Sequence, residues 1–163
     1  MRPQFEFRER PSALLARRPR VVSTSAVLWA LAGALAAVAA LLMLLDLDGL
    51  KAAVRTVVEQ GFPQSPATTR ERVIRPTAMV LVGGGALGLL QVVAARRLHA
   101  GRSAARFPLV LLLALAGAEV VLAVGVVDLA VRLTLLLGVA CGLVGAVFMY
   151  LPAANLWFGV QRR

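Results

Sequence analysis

The stretch 21–45 holds no charged residue, and three more long apolar stretches follow it at 77–95, 107–127 and about 133–154. An α-helix rises about 1.5 Å per residue, so roughly 20 apolar residues cross a hydrocarbon core of about 30 Å. Four runs of that length constrain the chain more than any motif does. Hydrophobic residues make up 60% of the 163, and mean hydropathy is +0.81, more apolar surface than a water-soluble domain of this size buries. No stretch alternates polar with apolar at period two, which excludes a β-barrel. The pattern predicts an all-α transmembrane protein: an antiparallel four-helix bundle with a basic arm at 1–20, one membrane domain at 21–155 and a short tail at 156–163.

Charge placement predicts the orientation. The arm carries Arg2, Arg8, Arg10, Arg17, Arg18 and Arg20 against Glu6 and Glu9, and the connection between the second and third runs holds Arg96, Arg97, Arg102 and Arg106 with no acid. Arg162 and Arg163 close the chain, while the segment 46–76 is nearly balanced. Basic residues collect on the cytoplasmic side, so both termini and the arginine-rich connection are expected inside a bacterial plasma membrane, near anionic lipid headgroups. The net charge of +10 does not point to nucleic acid, because the arginines sit at span ends with no interleaved aromatics or helix-turn-helix pattern. Arg17, Arg18 and Pro19 precede an apolar run, as in a twin-arginine export signal, but the run is too long for a cleaved one and three more spans follow.

Cys141 is the only cysteine and His99 the only histidine, so one chain offers no disulfide, CxxC pair or histidine metal cluster, and no cofactor is expected. No nucleophile-and-base pair is visible either, and enzymatic activity is not expected. Within 46–76, Leu47, Leu50, Val54, Val57 and Val58 recur at helical spacing, with Lys51, Arg55 and Glu59 on another face. This predicts an extracytoplasmic amphipathic helix that Gly61 ends, a turn through Phe62 to Pro66, and a capping box of Thr68 and Glu71 that starts the next helix. Small residues four apart (Gly33 and Ala37, Gly84 and Gly88, Ala114 and Ala118, Gly138 and Gly142) mark close helix packing.

Glu119 is the one charged residue inside an apolar run, near the middle of 107–127. Counting from the run's end puts it level with Ala36 or Ala37, Gly84 to Ala86, and Cys141 or Gly142, none of which is a counter-charge. Arg132 and Arg75 at the boundary are the nearest possible charge partners. A charge at the bilayer centre costs about 2.5 to 3.5 kcal/mol on insertion scales, so Glu119 is expected to be protonated or to find water, a partner subunit or one of those arginines.

The connection ARRLHAGRSAARFPL and the ending YLPAANLWFGVQRR carry Arg97, Gly101, Arg102, Ala105 and Arg106, then Leu151 to Asn155, Trp157 and Phe158. In these the chain resembles small four-span membrane proteins of actinobacteria. The resemblance implies the topology and brings no activity with it. Trp157 and Phe158 suit an aromatic belt at the inner membrane face. The functional expectation is a non-enzymatic accessory or interaction subunit of a membrane or cell-envelope assembly, with a protein partner or further copies of itself in the bilayer. The alternative is a small oligomeric transporter or proton-linked carrier acting through Glu119, although small multidrug transporters hold their acid in the first helix within an aromatic cage.

Overall fold

The structure, a computed structural model, describes residues 18–61 and 66–160, with side chains described for 18–60 and 73–159. The basic arm at 1–17, the turn at 62–65, the side chains of Thr68 and Glu71, and the last three residues lie outside the described residues. The described elements are helices: α1 (Arg20–Leu45), α2 (Leu47–Gly61), α3 (Pro66–His99), a 3-10 turn (Ser103–Ala105), α4 (Arg106–Ala123), α5 (Leu129–Tyr150) and α6 (Pro152–Val160). Four of them are long and apolar enough to cross a membrane: α1, α3 from Val73 onward, α4 with the 3-10 turn before it, and α5.

Local chemistry sets the helix ends. Asp46 alone joins α1 to α2: its N–H donates to the Leu42 carbonyl, and its carboxylate accepts from the Gly49 N–H at 3.2 Å. Helix α3 starts at Pro66, ahead of the expected Thr68 cap, with proline in a first turn whose N–H groups have no intrahelical acceptor. It then runs on through Pro76 into the apolar run that begins at 77. Proline removes one ladder donor there, and the Thr77 hydroxyl donates to the Val73 carbonyl at 2.7 Å within the same turn.

At its other end α3 closes in a Schellman motif. The Gly101 N–H donates to the Leu98 carbonyl and the Arg102 N–H to the Arg97 carbonyl, with Gly101 at φ 83°. A side chain at that φ would be strained, so glycine is needed to turn the chain back.

Helix α4 stops at Ala123, four residues short of the apolar run's end at 127. Val124 to Val127 form a turn, and Asp128 caps α5 by accepting from the Val131 N–H at 2.9 Å. Helix α5 therefore begins at Leu129 and takes in Arg132, rather than starting at 133. It ends at Tyr150 because Leu151 precedes a proline and is extended, at ψ 148°. Pro152, which on sequence grounds should end or kink the last span, does end it and opens α6, a separate helix where a tail was expected.

Two apolar clusters occupy the two ends of the bundle. One joins Val22 and Trp29 of α1 to Leu98, Leu109, Met149, Trp157 and Phe158, at the arginine-rich end. The other joins Ala39 and Met43 of α1 to Leu50, Val54, Val73, Val127 and Val131. Leu50 and Val54 thus dock α2 onto the bundle, while Val57, expected on the same stripe, is half exposed. The α2 ion pairs, Lys51 with Asp48 at 3.2 Å and Arg55 with Glu59 at 4.0 Å, are solvent-facing and contribute little.

Helix α1 is the hub, packed along both α3 and α5. At the α1–α3 crossing a methyl group on Gly88 would lie 2.7 Å from the Gly33 carbonyl oxygen and 3.1 Å from the Ala37 nitrogen. Against α5, Ser25 donates to the Gly145 carbonyl at 2.8 Å, and Trp29 fills the hollow left by Gly142 and Gly145. Ala114 and Ala118 on α4, by contrast, are exposed.

Candidate functional site

Glu119 projects from α4, one turn before that helix ends, toward α3. Its carboxyl rests on Gly84: a methyl group at that glycine would collide with Oε1. The depth count from sequence reached Gly84 as well. Glutamate fits against α3 at this level because the facing residue has no side chain.

Where α4 stands away from α1, a cavity of about 20 Å³ remains, room for one water molecule. All four long helices line it, among them Ala36, Leu87, Glu119, Leu135 and Gly138. So does Gln91, whose side chain is 2% exposed. Gln91 follows Gly84 on α3 by about two turns, so both lie on one face of the helix. The seven-residue spacing from Gly84 to Gln91 puts both on one face of a helical wheel, but nothing along the helix shows that this face meets Glu119.

Glu119 pairs with neither Arg132 nor Arg75. Arg132 lies in the first turn of α5, where one Nη donates to the Val127 carbonyl at 3.4 Å. Arg75 is exposed on α3, about 13 Å of helical rise from Gly84. Oε1 of Glu119 is buried and accepts no hydrogen bond from a described residue. The site thus offers two polar side chains, a carboxyl and a carboxamide, around space for one small polar molecule.

A second constellation lies at the arginine-rich end. Arg106, the first residue of α4, donates to Asn155 Oδ1 at 2.7 Å, and its guanidinium lies 4.2 Å from the Phe158 ring centre and 5.7 Å from that of Tyr150. Asn155 in turn donates to the Tyr150 carbonyl at 3.0 Å. A cation at a helix N-terminus opposes the helix dipole, and the ring faces and the amide oxygen offset that cost. The two segments that carried the resemblance therefore meet in space.

Trp157 and Phe158, read from the sequence as residues of an inner-face aromatic belt, are buried, at 5% and 3% exposure, and touch edge to face at 4.8 Å. Helix α6 folds them into the cluster with Trp29. The sequence showed each segment but not their pairing, because two apolar helices and the turn between them separate Arg106 from Asn155. No known protein family, curated protein or solved structure matches the chain.

Proposed function

We propose that the protein is a multi-pass component of a bacterial plasma membrane that works without catalysis, as a subunit of a larger membrane or envelope assembly, and that α4 is the helix it presents to its partner. In this reading the bundle is antiparallel, with both termini and the 96–106 connection in the cytoplasm. The positive-inside rule and the gathering of arginines at one end support the orientation.

The observation that carries the subunit role is the exposure of α4. It packs on α3 and α5 far less extensively than α1 does. Phe107, Val121 and Leu122 are each more than 70% exposed, Ala114 and Ala118 are exposed, and the space beside Gly117 is open. In lipid, small residues on an open helix face let a second helix approach closely.

Single cysteines at Ala118 and, as a control on an exposed face of α5, Leu137 test this in a Cys141→Ala background. Cross-linking in native membranes should capture a discrete product from Ala118 and not from Leu137. Equal capture at both positions would remove the support for α4 as the contact helix. A cysteine at Ser103 should resist a membrane-impermeant thiol reagent in intact cells, whereas one at Ser65 should react.

A second reading, a proton-linked carrier, is favoured by the cavity that Glu119 shares with Gln91. Loss of a growth or transport phenotype in a well-folded Glu119→Gln variant would move weight to it.

A further inference from the structure

We propose that the groove between the end of α3 and the start of α4 binds one anionic phospholipid, with the phosphate on Arg97 and Arg102 and an acyl chain along Leu90, Val93, Leu111 and Leu112. The groove encloses about 370 Å³ and is walled by those four apolar residues, with the two arginines at its head. Leu90, Val93 and Leu111 are 40–52% exposed, so the wall is open along one side.

Its geometry follows from the end of α3. Arg97 lies in the last turn, and the left-handed Gly101 folds the chain so that the Arg102 N–H reaches the Arg97 carbonyl at 3.1 Å. Residues five apart in sequence thereby bring two guanidinium groups to one groove.

Charge and shape together select the occupant. The side chains of Arg97 and Arg102 are exposed and make no hydrogen bond or ion pair with a described residue. The 96–106 connection holds no acid to neutralise them. The N-terminal end of α4 adds the positive end of its dipole beside Ala104 and Ala105, which also line the groove. A soluble anion would use the arginines and leave the apolar wall uncovered. A phosphodiester bearing acyl chains uses both, because the wall begins where the arginines end and continues for about two helical turns, roughly 10 Å.

This inference rests on the membrane reading and not on the subunit role. Failure of the protein to enter bilayers would count against the membrane reading, whereas entry without selective occupancy would count against the lipid site alone.

The test reconstitutes the full chain in nanodiscs of phosphatidylcholine with one tenth phosphatidylglycerol carrying a photoactivatable acyl chain. Labelling should concentrate at Leu90, Val93, Leu111 and Leu112, and uniform labelling around the bundle overturns the proposal. Native mass spectrometry then compares retention of phosphatidylglycerol. Arg97→Gln with Arg102→Gln should weaken it roughly thirty-fold, at about one factor of five per arginine near an anionic partner. The charge-matched pair Arg20→Gln with Arg96→Gln, outside the groove, should weaken it far less. Equal losses in the two pairs would reduce the effect to diffuse attraction and overturn the site.

Val93→Trp keeps every charge and fills the groove, so it should also abolish selective retention, and unchanged retention there overturns the acyl-chain placement. Inorganic phosphate should not protect the groove from labelling. Protection as strong as that from unlabelled phosphatidylglycerol would assign the arginines to a soluble anion instead. If a glutamine variant fails to fold, labelling of the unaltered protein decides.

Discussion

Helices α1 and α3 meet backbone to backbone, with Gly33 and Gly88 leaving no room for a methyl group, whereas α4 meets α3 through a side chain, the Glu119 carboxyl resting on Gly84. Both contacts depend on glycine, yet they differ in what must move when the glycine is replaced. A carbonyl oxygen and an amide nitrogen in rigid helices cannot shift alone, while a carboxyl at the end of a flexible side chain can. The bundle thus has a stiff half, α1 with α3 and α5, and a yielding half at α4. The proposed subunit contact falls on the yielding half, and the polar cavity borders it.

The same substitution at three positions can break this comparison. Gly88→Ala should cost about 3 kcal/mol, near the upper end for overpacking, because the close atoms are the Gly33 carbonyl oxygen, the Ala37 nitrogen and the Ala36 Cβ, which cannot move without its backbone. Thermal unfolding in mild detergent measures it, and a cost below about 1 kcal/mol would mean that the crossing is not close-packed.

Gly84→Ala should cost about 1 kcal/mol, since the carboxyl can swing aside. In a Glu119→Ala background that cost should disappear, and a cycle in which it persists would separate Gly84 from Glu119. Gly117→Ala meets open space and should stabilise the isolated protein by less than about 1 kcal/mol through helix propensity. If that gain reverses when the partner is present, the added methyl lies in the subunit contact, which sharpens the assignment of α4.

Long helices were legible in the sequence because run length and the absence of charge carry them directly. Some of their ends were too, at Leu45 and, for α2, at Gly61, but others were not. The turn at Val124 to Val127 is as apolar as the helix before it, so hydropathy passes over it, and only the cap by Asp128 marks where α5 begins. Helix α3 likewise begins well before the apolar run at 77 and continues through Pro76.

At the site, Glu119 stood out as a lone charge, and counting depth brought Gly84 to its level. Its arginine partners did not follow, because Arg132 turns to the Val127 carbonyl and Arg75 stays on the surface of α3. Gln91 and the Arg106–Asn155 pair were hidden for a common reason. Each is a relation between faces of different helices, and nothing along one helix encodes the rotation of its neighbour.

The placement of the two tryptophans has a practical consequence for anyone watching this protein unfold. Trp29 and Trp157 are the only ones in the chain, both are buried, and both belong to the cluster at the arginine-rich end. Intrinsic fluorescence therefore has a viewpoint: its emission maximum follows water entry at that end and is blind to α2 and the junction at Asp46. A variant such as Val54→Asp could detach α2 completely and leave the emission spectrum unchanged, so a single-wavelength melt would score it as wild type. A reporter tryptophan at Val57, half exposed on α2, would give the other end its own signal.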